Sequence, residues 1–125
     1  MASGRWPPPP QRADGVRLCH IGEIADRSSR GFDPLGLGRD TMFVVRIGDV
    51  VHAYRDACPH IDGAPMAWRK DAYLNRDGSR IVCHAHGAQF AIDTGACVLG
   101  PCLGQSLERV DLVVRADGAI EVDTR

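Results

Sequence analysis

Two short runs constrain this chain more than the rest of it: Cys58-Pro59-His60 and Cys83-His84-Ala85-His86-Gly87. The first offers its thiolate and imidazole as Cys-x-His, the second as Cys-x-x-His, and residues 61–82 lie between them. A fold that uses both must bring two loops to one point. There Cys58, His60, Cys83 and His86 can clamp a metal centre, one Cys and one His from each side. Turn chemistry surrounds both runs. Pro59 fixes φ in the first loop and removes a donor. Gly87 follows the second His, where a tight loop must bring backbone close to a bound group without Cβ interference. Gly95 and Gly100-Pro101 add a third turn-rich segment just downstream.

Two metal centres accept such a ligand set. A [2Fe–2S] cluster can take two Cys on one iron and two His on the other. A single zinc ion accepts Cys₂His₂ tetrahedrally. The typical zinc finger pairs Cys with Cys and His with His, then closes on a helix. Here Cys and His are paired within each loop and strand-like sequence surrounds them, which favours the cluster and a reading of electron transfer.

The stretch from Val16 to Val122 resembles small Rieske-type [2Fe–2S] ferredoxins. The matching residues are Tyr54-Arg55-Asp56-Ala57-Cys58-Pro59-His60 with Gly63-Ala64-Pro65-Met66. They continue with Ile81-Val82-Cys83-His84-Ala85-His86-Gly87-Ala88-Gln89-Phe90, Asp93-Thr94-Gly95 and Gly100-Pro101. The resemblance implies that Cys58 and Cys83 bind the inner iron, and that His60 and His86 bind the outer, more exposed one. Gly100-Pro101 is then similar to the family's proline loop, which covers the cluster from a third side. The implied function is that of a non-catalytic electron carrier, passing electrons from a flavin-dependent reductase to a terminal Rieske oxygenase. The alternative is a small subunit or accessory domain of a nitrite-reductase-like enzyme.

Departures from the family pattern carry information too. High-potential Rieske proteins hold an extra Cys in each ligand loop, joined as a disulfide. Gly63 or its neighbours and Ala85 occupy those positions here. High-potential members also place a Ser and a Tyr where this chain has Ala88 and Phe90, neither of which can donate a hydrogen bond. Hydrogen bonds to sulfur favour the reduced cluster, so the expected potential lies at the low end of the Rieske range, roughly −150 mV. The segment 61–82 is longer than usual, and Asn75-Arg76-Asp77-Gly78 within it has hairpin-turn chemistry.

The rest of the sequence reads as all-β, an antiparallel sandwich or barrel of short strands spaced by turns. Only the resemblance places the ligand loops as a small cluster-binding subdomain at one end. Strands are expected at Val16–Cys19, Thr41–Ile47, Val50–Arg55, Gln89–Ile92, Val110–Arg115 and Ile120–Asp123. A helical turn is expected at Ile21–Ala25 and a loop over Asp26–Arg39. Residues 1–14, with the run Pro7-Pro8-Pro9-Pro10, are expected to be a disordered tail preceding one domain over 15–125.

Charge and hydropathy exclude other classes. The formal net charge is −1, and no basic stripe points to nucleic acid. No apolar run reaches membrane-span length and the first residues lack a signal-peptide core, so the expected location is cytoplasmic with no membrane partner. Cys19 is expected in the core, and Cys97 and Cys102 as buried or half-buried thiols. His20 and His52 are read as surface or structural histidines, and His84 as a solvent-facing non-ligand. Met66 and Trp68 are read as core residues or as an apolar rim.

Overall fold

A computed structural model describes residues 15–57, 66–67, 70–83 and 87–123. The proline-rich tail, Cys58, His60, Gly63, Trp68 and His84–His86 lie outside these residues. The strands are β1 (Gly15–His20), β2 (Ser28–Phe32), β3 (Met42–Ile47), β4 (Val50–Arg55), β5 (Arg80–Cys83), β6 (Ala88–Ala91), β7 (Cys97–Leu99), β8 (Leu112–Val114) and β9 (Ala119–Asp123). One 3-10 turn, Ile21–Glu23, follows β1, where the sequence predicts a helical turn. All strand pairs are antiparallel, in three sheets ordered β1-β9-β8, β2-β3-β4 and β5-β6-β7.

The run Met42-Phe43-Val44-Val45 is apolar without alternation, as expected of a strand covered on both faces. All four residues are buried. Phe43 and Val45 join one core, with Tyr54, Tyr73, Ile81, Cys83, Ala88 and Phe90. Met42 and Val44 join the other, with Cys19, Ala53, Ile120 and Val122. The β2-β3-β4 sheet is therefore a middle layer between the sheet of the chain ends and the β5-β6-β7 sheet. Each of Phe43, Val45, Ile81 and Phe90 is fully buried, which contributes about 1.5–3 kcal/mol per side chain relative to exposure.

Asp26–Arg39 is not all loop as expected, because β2 pairs with β3 from Ser28↔Arg46 to Phe32↔Met42. Its sequence, Ser-Ser-Arg-Gly-Phe, has little local strand preference. Tertiary contacts supply the order instead. Ser29 Oγ donates to Asp71 O at 2.7 Å, Gly31 N to Asp71 Oδ1 at 2.7 Å, and Lys70 Nζ to Gly31 O at 2.8 Å. Segment 70–73 thus covers the outer edge of the middle sheet. The expected strand Val110–Arg115 is shorter, at Leu112–Val114. Cys97–Leu99 is a strand inside a segment read only as turn-rich.

Candidate metal centre

Cys83 is the last residue of β5 and is fully buried. It pairs with Ala88 across the β5–β6 hairpin. Gly87 N donates to Cys83 O at 2.8 Å, which fixes where the tip begins and ends. Gly87 has φ +73°, and no described atom lies within 4 Å of the position a Cβ would take. The left-handed backbone alone already calls for glycine at this position. The base of this hairpin extends the second-loop segment as predicted. Asn75 N donates to Arg80 O, Val82 N to Tyr73 O, and Gly78, at φ +74°, turns the chain between them.

The first ligand loop is anchored at both ends by one carboxylate. Asp56, two residues before Cys58, has its Oδ1 accepting from Met66 N at 2.8 Å. Its Oδ2 accepts from the Tyr73 hydroxyl at 2.9 Å. The chain entering residues 58–65 is thereby tied to the chain leaving them, and both are tied to the strand-like segment that leads to Cys83. Burial, reinforced by the neighbouring Asp56 carboxylate, raises the Tyr73 hydroxyl far above the usual tyrosine pKa. It therefore stays protonated and donating. The Tyr73 ring stacks on Phe43 with centroids 4.1 Å apart and 8° between planes. The sequence reading assigns no role to Asp56 or Tyr73. An acid just before the first Cys was the available signal.

The third turn packs against the start of β6. Gly100 has φ +106°, and a Cβ there would lie 2.8 Å from Ala88 Cα. Gly100-Pro101 is thus pressed against the residue that pairs with Cys83. Cys97 and Cys102 flank this turn with their sulfurs 2.8 Å apart. Both are buried in the same core as Cys83, Met66 and Ala88. Val98, Leu99 and Leu103 on the same turn are exposed.

Of the four sequence-predicted ligands, Cys58, His60 and His86 lie outside the described residues, and Cys83 is placed. Its surroundings are apolar and sulfur-rich, and no charged or polar residue among those described is buried. A buried cysteine at the end of β5, in apolar and sulfur-rich surroundings, fits a soft iron–sulfur donor set. Among the described residues no group of three or more His, Cys, Asp or Glu converges on a metal position.

Among the described residues, His20, His52 and Met66 have structural surroundings. His20 caps the 3-10 turn, with Nδ1 accepting from Gly22 N and Nε2 2.6 Å from Asp117 O. Met66 is 1% exposed and belongs to the core rather than to a rim. His52 lines a cavity of about 510 Å³ with Arg80, Ala91 and Asp93, at the opposite end of the β5–β6 hairpin from Cys83. No described helix is long and apolar enough to cross a membrane.

A family model for the Rieske [2Fe–2S] domain matches residues 15–116. Among solved structures, the ferredoxin of carbazole 1,9a-dioxygenase from Nocardioides aromaticivorans IC177 is similar at 27% identity and TM-score 0.69, covering 90% of this chain and 100% of that one. A ferredoxin from Sphingomonas yanoikuyae B1 is similar in fold at 23% identity and TM-score 0.67, over 88% of this chain and 98% of that one. A chain from a complex of reduced oxygenase and oxidised ferredoxin in carbazole 1,9a-dioxygenase is similar in fold at 24% identity and TM-score 0.68, over 90% and 94%. The curated proteins contain no match to the chain.

Proposed function

Because the chain belongs to the Rieske [2Fe–2S] domain family, we propose that it is the ferredoxin component of an oxygenase system, passing electrons from a flavin-dependent reductase to a Rieske-type terminal oxygenase. The observation that carries this reading is the likeness to the carbazole 1,9a-dioxygenase ferredoxin over the whole of that chain. A structure of that system containing both oxygenase and ferredoxin supports an oxygenase as the partner.

Cys58 and Cys83 would hold one iron, and His60 and His86 the other. When bound, the cluster supplies a one-electron couple; no bond of a substrate is made or broken. The chain's own residues do the rest. Asp56 ties together the two ends of the first loop and Tyr73, and the β5–β6 pairing brings together the ends of the second. The Gly100 turn packs on Ala88, the cross-strand partner of the buried Cys83. Leu99 and Leu103, 54% and 65% exposed, give a small apolar surface beside the turn. It suits a weak contact that must form and dissolve with two partners in succession. Ala88 and Phe90 are both fully buried and bring no donor, which supports a potential at the low end of the range, roughly −150 mV.

The test is an EPR spectrum of anaerobically purified, dithionite-reduced protein, with iron and zinc quantified on the same sample. The expected result is a rhombic signal with average g near about 1.9 and roughly two irons per chain. Stoichiometric zinc without a signal, after failed cluster reconstitution, overturns the reading. His86→Cys should retain a cluster, lose the Rieske spectrum and lower the potential. A native spectrum in that variant would remove His86 from the ligand set.

A further inference from the structure

Cys97 and Cys102 are not needed by the proposed ligand set, yet they are placed against each other. The Cys102 thiol donates toward Cys97 Sγ at 2.8 Å, and the Cys97 thiol donates to Leu99 O at 3.4 Å. No disulfide joins them. A disulfide needs a sulfur separation near 2.05 Å, so the pair is about 0.8 Å from bonding distance. The backbone around them is already closed. Cys97 N donates to Gln105 O at 2.9 Å, Gln105 N to Cys102 O at 2.9 Å, and Leu103 N to Gly100 O at 3.4 Å. The chain entropy that normally opposes ring closure has therefore been lost on folding, and each sulfur faces the other at high effective concentration. Ordinary core packing would be met by two apolar side chains and requires no contact between two sulfurs.

We propose that Cys97 and Cys102 form a reversible dithiol–disulfide couple, a redox modification site separate from the metal ligands, with a small-molecule disulfide as the exchange partner. Glutathione disulfide serves as the oxidant. The Cys97 thiolate, 8% exposed against 1% for Cys102, attacks it and releases one glutathione thiol. Cys102 then attacks the protein sulfur of the mixed disulfide. The Cys97–Cys102 bond forms and a second glutathione thiol leaves. Two electrons and both thiol protons pass to the small molecule, and the protein becomes two hydrogens lighter. Burial of both sulfurs makes the exchange slow and paced by local opening of the turn. The bond would staple the two sides of Gly100-Pro101, the turn that presses on Ala88 next to Cys83. Oxidation would thus rigidify one wall of the metal centre without using any of its ligands.

The experiment uses the full-length protein as purified, equilibrated without oxygen in glutathione buffers from fully reduced to largely oxidised. Samples are acid-quenched, denatured, alkylated and cleaved at arginine. The fragment covering residues 81–109 carries Cys83, Cys97 and Cys102. As the oxidised fraction rises, this fragment should shift from three alkyl groups to one, on Cys83, and lack fragment ions between residues 97 and 102. Dithiothreitol should reverse the shift, and Cys97→Ser should abolish it. Three alkyl groups throughout, a stable glutathione adduct without ring closure, or a bond involving Cys83 would each overturn the couple. EPR keeps the two readings apart when it is run on an aliquot of each sample taken before the acid quench and reduced with dithionite. A sample with the Cys97–Cys102 bond and no Rieske signal fails the metal-centre reading alone, and one with the signal and three alkylated thiols fails the couple alone.

Discussion

Asp56 connects three stretches of chain that sequence distance keeps apart: the end of β4, the return at Met66 and the approach to β5 at Tyr73. Tyr73→Phe keeps the ring stack on Phe43 but leaves one carboxylate oxygen without its donor. A hydrogen bond to a charged group contributes about 1.5–3 kcal/mol. The variant should therefore lose about that much stability, read as a lower urea midpoint at unchanged slope. His52 gives a pH dependence. Its Nδ1 is buried with no hydrogen-bond partner among the described residues. Burial lowers its pKa below the ordinary value of 6.5, Arg109 lowers it further, and Asp93 partly opposes the shift. The unfolded chain accordingly takes up a proton that the folded chain refuses. This contribution is complete above about pH 6.5 and falls away as the pH drops below it. Urea midpoints measured across that window should rise with pH more steeply in the native chain than in His52→Gln. Equal slopes would show that His52 is not the group responsible.

The turns and strands set the site at the next scale up. Gly87 needs the left-handed region, and no described atom lies within 4 Å of where its Cβ would go. Gly87→Ala should cost only about 1–2 kcal/mol. Gly100 needs the same region and also lacks room, because Ala88 backbone lies where its Cβ would go. Gly100→Ala should therefore be the more damaging of the two, shifting the turn away from Cys83 and lowering iron retention during purification as well as stability. Equal behaviour of the two variants would refute the close approach. Strands with local signals were legible in the sequence. β3 and β4 carry β-branched and aromatic residues on either side of Gly48-Asp49, and β9 follows a Gly turn. β2 was not legible, because Ser28 to Gly31 become a strand through Asp71, Lys70 and β3, none of which is local. The candidate ligands were legible because ligand chemistry restricts residue type and spacing. Asp56 and Tyr73 were not, since a carboxylate bridging two distant segments leaves no periodic trace.

For the whole molecule, the tuning of the metal centre and the sharing of one sheet by two cores are the main consequences. Ala88→Ser would add a donor beside Cys83, and a sulfur-directed hydrogen bond raises the potential. Protein-film voltammetry should give a midpoint near −150 mV for the native chain, roughly the low end of the family's range, and a higher one for the variant. A native midpoint above about +100 mV would contradict the role given to Ala88 and Phe90. The sheet that carries β3 has Phe43 and Val45 in one core and Met42 and Val44 in the other. Neither core can open to solvent while the other stays intact around that strand. In hydrogen–deuterium exchange, the backbone amides of Phe43 to Val45 should be released only by events that dissolve the entire fold. The half-life of those few protons therefore measures how long the molecule remains in one piece.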